Sequence, residues 1–146
     1  MGDYRPSHVG LCVRDLARSL RFFCDGLGFE KAEGFELDST TAEGLDRSLE
    51  VPGPARIVSQ FVQNDTMKIE LLHFVEPGVG GTPSAARNQL GLTHLSFYVD
   101  DLDAATRHLV EYGATVVEGT RASPGIDLLF LADPDGVRVE LMAAPE

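Results

Sequence analysis

Apolar and polar positions fall into two stretches of this chain that read as copies of each other. The run His8 to Leu16 (HVGLCVRDL) sets against His94 to Leu102 (HLSFYVDDL) at an offset of 86, with His, Val, Asp and Leu at the first, sixth, eighth and ninth places. Each run is a short apolar strand leading to an Asp placed to cap a helix. In the first copy Leu16, Leu20 and Phe23 share a helical face that stops near Gly26. In the second, Leu102, Ala105 and Leu109 do so and stop near Gly113. Both follow the helical period with glycine punctuation.

The later parts of the copies also align. Phe61 to Leu71 (FVQNDTMKIEL) lies over Leu131 to Leu141 (LADPDGVRVEL) at an offset of 70. Each reads as a strand, a tight polar turn (Asn64 and Asp65 in one, Asp133 to Gly136 in the other) and a returning strand that ends apolar-Glu-Leu. The pattern predicts an α+β protein: two tandem βαβββ modules forming a curved mixed sheet around a cleft. The offsets differ by about 16 residues, which places extra length in the first copy. Leu37 to Ala55 is the expected insertion, with Thr40 to Glu50 mildly helical and Pro52 to Pro54 ending it. Glu76 to Asn88 is rich in Gly and Pro and joins the copies. The expected organisation is one domain over 1–146, with module 1 at about 5–75, a linker at about 76–90 and module 2 at about 91–143, because neither copy is long enough to close a core alone.

Composition narrows the function class. Of 146 residues, 43% are apolar and 24% charged, the balance of a soluble globular protein. A formal net charge of -11 argues against nucleic acid or an anionic membrane surface as partner, since both require clustered Lys and Arg. Cys12 and Cys24 show no C-x-x-C or zinc-finger spacing, which favours a reducing compartment over secretion. The opening MGDYRPSHVG lacks a basic-then-apolar leader pattern, and no apolar run approaches the length of a membrane span. The expectation is a soluble, cytoplasmic protein acting on a small molecule.

Four residues carry the candidate chemistry. His8 and His94 hold the same place at the start of the first strand of each copy, and Glu70 and Glu140 the same place in the last strand. A single His at a strand start is more often a hydrogen-bonded structural residue. A Glu in an apolar strand is stranger, because an unpaired carboxylate is costly to bury. Two such Glu residues, each matched by a repeat-equivalent His, reverse the odds in favour of a metal site. Two imidazoles and two carboxylates suit one first-row divalent ion: zinc, nickel, cobalt, manganese or ferrous iron. Strand alternation points His73 away from Glu70, and His108 falls on the second helix as a surface or half-buried residue. Cys12 shares the His8 face but suits a small apolar role.

At these residues the chain resembles the vicinal oxygen chelate superfamily, which includes glyoxalase I, methylmalonyl-CoA epimerase, extradiol dioxygenases and the bleomycin- and fosfomycin-resistance proteins. The marks are HVGLCVRDL at His8, Phe22 and Phe23 with GLGF at Gly26 to Phe29, LTHLSF at Leu92 to Phe97, and DPDGVRVEL at Asp133 to Leu141. The resemblance covers nearly the whole chain and implies metal ligands at His8, Glu70, His94 and Glu140. Glyoxalase I is closest in this ligand set, with Glu in both carboxylate places. Extradiol dioxygenases and fosfomycin-resistance enzymes use a non-ligand at the place of Glu70, and methylmalonyl-CoA epimerases typically carry Gln there. Drug-sequestering relatives usually lack the ligands altogether. The arginine and asparagine pattern by which glyoxalase I holds glutathione is not found here. The resemblance also implies a homodimer. The four ligands then come from one chain, or His8 and Glu70 face His94 and Glu140 of the partner subunit.

A divalent ion gripping two neighbouring oxygens stabilises the enediolate left when a proton departs beside a carbonyl. Glu70 and Glu140 are the candidate catalytic bases, one removing the proton and the same or the other returning it. The function expected is a divalent-metal-dependent lyase or isomerase of the glyoxalase I type. The alternatives are an acyl-CoA epimerase of the methylmalonyl-CoA type, a natural-product-binding resistance protein without turnover, and an iron-dependent dioxygenase. Alternation from the ligands adds Cys12, Ser96, Tyr98 and Met142 as candidate substrate contacts, with Gln60 and the inserted Thr40 to Glu50 segment as a wall or lid.

Overall fold

A computed structural model describes residues 2–146; Met1, the first residue of the stretch read above for a leader pattern, lies outside them. The chain divides into two units. One runs to Cys24 and resumes over Gly28–Gly80; the other takes Asp25–Leu27 together with Gly81–Glu146. In the first unit β1 (Val9–Cys12) leads into α1 (Leu16–Leu20), followed by a π-helical turn over Arg21–Gly26, then β2 (Glu30–Asp38), α2 (Leu45–Ser48), β3 (Arg56–Gln63) and β4 (Lys68–Glu76). The second unit repeats the order with β5 (Leu95–Val99), α3 (Leu102–Glu111), β6 (Thr115–Val116), β7 (Leu128–Ala132) and β8 (Arg138–Ala143). The expected βαβββ unit is therefore present twice.

Each unit carries its own four-stranded mixed sheet, ordered β1-β4-β3-β2 in the first and β5-β8-β7-β6 in the second. The first strand of each unit runs parallel to the last, and the remaining pairs are antiparallel. This topology makes residues far apart in sequence into neighbours: Gly10 stands beside Glu70, and Ser96 beside Glu140. The predicted caps form. Asp15 accepts from the Arg18 amide at 3.0 Å and Asp101 from the Ala104 amide at 2.9 Å, each worth about 1 kcal/mol to its helix.

Apolar faces cover each sheet. α1 lies against β4, where Ile69 and Leu71 are buried with Val13, Phe22, Phe23 and Val62. α3 lies against β8 and β6 and buries Leu102 and Leu109. Full burial of a side chain of this size contributes about 1.5–3 kcal/mol. The second helix buries Leu102 and Leu109 of the face its period predicts, with Ala105 half-exposed. The first buries Phe23 of its predicted face together with Ser19 and Phe22, whereas Leu16 and Leu20 are half-exposed. Ser19, Phe22 and Phe23 stand three and four residues apart, so the buried face is a helical one turned by one residue from Leu16 and Leu20.

The insertion lies between β2 and β3, but β2 extends to Asp38 and only Leu45–Ser48 is helical. Gly44 at φ 80° precedes that turn in the left-handed region and keeps the helix from starting earlier. Among the described residues no helix is long and apolar enough to cross a membrane.

The two hairpins differ by one residue. Asn64 and Met67 close the first turn around two residues, whereas Asp133 and Val137 close the second around three, with Gly136 at φ 98°. The second is the longer hairpin type that needs a left-handed residue before the returning strand. Phe61 is consequently paired with Glu70, and Phe130 with Glu140. The constant offset read from the sequence set Phe61 over Leu131. That equivalence is corrected here to Phe130, because the extra turn residue shifts β7 by one place.

Candidate metal centre

In the first unit His8 immediately precedes β1 and Glu70 is the third residue of β4. The parallel pairing brings His8 Nε2 to 3.5 Å from Glu70 Oε1. In the second unit His94 precedes β5, Glu140 is the third residue of β8, and His94 Nε2 stands 3.6 Å from Glu140 Oε1. The side chains of Glu70 and Glu140 are each 14% exposed and those of His8 and His94 are 34% and 28% exposed. The carboxylates are thus shielded while the imidazoles reach solvent.

The other imidazole nitrogen is occupied in both units. Ser7 Oγ lies 2.8 Å from His8 Nδ1, and Thr93 Oγ1 lies 2.6 Å from His94 Nδ1. With the proton on Nδ1 donated to the hydroxyl, Nε2 presents a lone pair toward the carboxylate, the tautomer a metal requires. Each ring is also held edge-on by a phenylalanine: His8 by Phe61 at 5.0 Å and His94 by Phe130 at 5.1 Å between centroids. The carboxylates have serine donors, but from different strands. Ser59 Oγ on β3 donates to Glu70 Oε2 at 2.7 Å, whereas Ser96 Oγ on β5 donates to Glu140 Oε1 at 2.8 Å. In Glu70 the serine and the imidazole face different oxygens, Oε2 and Oε1. In Glu140 one oxygen faces both His94 and Ser96, and among the described residues Oε2 accepts no hydrogen bond.

These pairs fit a divalent ion. Two donors about 2.1 Å from a common ion stand about 3.0–3.4 Å apart over the angles of octahedral and tetrahedral coordination. The observed 3.5 and 3.6 Å lie just outside that span, so a small side-chain closure brings each pair to ligating distance. Among the described residues no group of three or more His, Cys, Asp or Glu stands close enough to hold an ion. The structure brings the four candidates together as two pairs, one in each unit.

Of the other predicted contacts, Ser96 holds Glu140. Tyr98 is paired with Met142 one step further along the same face, and Tyr98 is 61% exposed. Cys12 is exposed and paired with Leu72, two places beyond Glu70. Gln60 does not share this face. It is paired with Leu71, and its amide donates to the carbonyls of Ala32 and Phe61, each at 2.9 Å. As a substrate contact it is corrected to a residue that pins the bulge in β2. His73 points away from Glu70, with Nδ1 3.1 Å from the Val13 carbonyl oxygen. His108 Nε2 reaches the carbonyls of Asp25 and Gly26 at 3.2 and 3.0 Å. The residues that sequence reasoning missed are Ser7, Ser59, Phe61, Thr93 and Phe130. A hydroxyl immediately before each histidine was the one signal in plain view.

The family model of the Glyoxalase/Bleomycin resistance protein/Dioxygenase superfamily matches residues 5–141. The chain is 32% identical over 144 residues to the uncharacterized protein YaeR of Escherichia coli (strain K12), covering 97% of each. It is 25% identical over 146 residues to a catechol-2,3-dioxygenase of Bacillus subtilis (strain 168), covering 96% of this chain and 42% of that protein. Its fold matches the crystal structure of a glyoxalase family protein from Bacillus cereus with a TM-score of 0.81 at 21% identity, covering 98% and 95% of the two chains.

Proposed function

Because the chain belongs to the Glyoxalase/Bleomycin resistance protein/Dioxygenase superfamily, we propose that it is a divalent-metal-dependent lyase or isomerase of the glyoxalase I type. The observation that carries this reading is the repeated His–Glu pair, each with a hydroxyl on Nδ1 and a serine on the carboxylate. His8, Glu70, His94 and Glu140 would hold the ion, which is zinc, nickel, cobalt, manganese or iron. When bound, such an ion supplies positive charge to two neighbouring substrate oxygens and so stabilises the anion formed beside a carbonyl.

The protein's own groups do the rest. Glu140 removes the proton from carbon, because its Oε2 is the carboxylate oxygen left without a donor, while Ser96 fixes the other oxygen. Glu140, which then carries that proton, returns it to the neighbouring carbon, while Glu70, held by Ser59 at one oxygen, keeps its place. Phe61 and Phe130 hold the imidazoles and line the same faces with apolar surface, which keeps water from the anion. Ser96, Tyr98 and Met142 contact substrate on the second unit's face, and Cys12 on the first. A homodimer is part of this reading. Mixing His8→Ala chains with His94→Ala chains tells its two arrangements apart: sites built across the interface regain one intact copy per mixed dimer, and sites within one chain regain none.

The test is solvent-deuterium incorporation beside the carbonyl of α-keto hemithioacetals and acyl-CoA esters, with metal added and removed. Metal-dependent incorporation that Glu140→Gln lowers by about 10²-fold or more is expected from loss of a positioned base. Incorporation indifferent to metal, or untouched by Glu140→Gln, overturns the reading. The similarity to a catechol-2,3-dioxygenase favours a second reading, an iron-dependent oxygen-using enzyme. Consumption of oxygen with catechols in the iron-loaded protein identifies it.

A further inference from the structure

We propose that the guanidinium groups of Arg87 and Arg138 form an oxyanion subsite beside the His94–Glu140 pair, taking a carboxylate or phosphate group of the substrate. This chain has 23 acidic residues against 12 Lys and Arg, so carboxylates are plentiful for its cations. Arg121 is bound between Asp103 and Asp127, and Lys68 is bound to Glu33. Arg87 and Arg138 depart from this. Arg87 donates to the carbonyls of Thr93 and Ser84, and Arg138 Nη1 donates to the Gly136 carbonyl at 2.9 Å. Among the described residues neither meets a carboxylate.

Their positions tie both to the candidate centre. Arg138 opens β8 two residues before Glu140 and so shares its face. The pairing of Leu95 with Val139 puts it at the end of the β5–β8 pair where His94 stands. Arg87 is bonded to Thr93, whose hydroxyl lies 2.6 Å from His94 Nδ1. Both side chains are half-buried. Burial first, and the charge of Arg138 second, hold the Arg87 guanidinium below its usual range.

Backbone carbonyls satisfy donors but neutralise no charge. Both positive charges are placed at the His94 end of the second unit, so an anion received there is attracted by both. Their planar forks match the two oxygens of a carboxylate or phosphate. Among the described residues the first unit offers no counterpart. Lys68, the residue two places before Glu70, is neutralised by Glu33 and lies over the Phe61 ring at 4.6 Å from its centroid. The anion is thus received in one unit alone, which gives the substrate a direction. This deepens the reading above and rests on it for the reacting end of the substrate.

The test uses metal-free protein. The arginine Nε–Hε resonances are followed by NMR during separate titrations with inorganic phosphate and with acetate, chloride holding ionic strength constant. Saturable movement of the Arg87 and Arg138 resonances is expected, the tighter of the two anions identifying a phosphate or a carboxylate group. Arg138→Gln should weaken binding about tenfold or more, the loss expected for a charged hydrogen bond. Arg138→Lys should restore part of it, and Arg107→Gln, at an exposed arginine on α3, should leave it unchanged. Absence of saturable movement with either anion, or equal affinity in Arg138→Gln and the natural protein, overturns the proposal. Failure of deuterium incorporation in the loaded protein overturns the proton-transfer reading alone, because anion binding here is measured without metal or turnover.

Discussion

Ser96 donates to Glu140 at 2.8 Å from the parallel neighbour strand, and it binds the oxygen that also faces His94. Its counterpart place in the first unit is Gly10, beside Glu70 in register, so that carboxylate draws its serine from the antiparallel neighbour instead. The two units reach the same result, a carboxylate held by a hydroxyl next to an imidazole, through different strands.

Removing either serine should loosen a metal ligand without removing it. Ser59→Ala and Ser96→Ala are each expected to weaken divalent-metal affinity about 10–100-fold, the range for groups that orient a ligand. Competition with a chromogenic chelator measures this. Affinity unchanged in both variants would show that the serines are bystanders.

Metal should stabilise the fold wherever both histidines are intact. Addition of a divalent ion at 100 times its dissociation constant is expected to add about 2.7 kcal/mol to unfolding stability. Thermal unfolding with and without metal reports it. His8→Ala and His94→Ala should each lose most of the increment, and retention in either variant removes that histidine from the site.

Gly34→Ala probes the β2 bulge. A Cβ there would stand 2.6 Å from Gln60 Oε1 and 3.2 Å from the Ser59 carbonyl oxygen. The Gln60 amide is held by the Ala32 and Phe61 carbonyls and cannot easily yield. A loss of about 1–3 kcal/mol is expected from such overpacking, read by urea denaturation. In the Gln60→Ala background the loss should shrink, a coupling that a double-mutant cycle quantifies.

Asp133 gives a pH dependence of known sign. It is 4% exposed, its Oδ2 lacks a partner among the described residues, and burial pushes its carboxyl up despite amides donated by Val137 and Asp135. A raised folded value means the native state holds this proton more tightly than the unfolded chain. The contribution is fully present below the ordinary aspartate range and is lost as pH rises through the folded value. The stability of the natural protein relative to Asp133→Asn should therefore fall as pH rises through that window. A difference that stays flat or rises would contradict the assignment.

The four proposed ligands were legible because repetition doubled each signal: His8 supported His94, and Glu70 supported Glu140. The caps Asp15 and Asp101 were legible for the same reason. Ser59 and Phe130 were hidden, because finding them requires the register of β3 on β4 and of β7 on β8, and the turns differ in length. Gln60 was misplaced because proximity in sequence to the site says nothing of strand parity. Phe23 was on the predicted face, whereas Ser19 and Phe22 escaped because the buried face is turned by one residue from Leu16 and Leu20, toward a serine that apolar patterning does not mark.

The unequal hairpins carry one more consequence. Counted outward from Glu70 and Glu140 the paired strands agree, although the turns between them hold different numbers of residues. Length is therefore free to change at the tips, near Asp65 and Asp135, while the ladders continue to measure from the carboxylates. Those two tips are attachment points for a fluorophore or spin label, each a rigid ruler's length from the chemistry and outside its register.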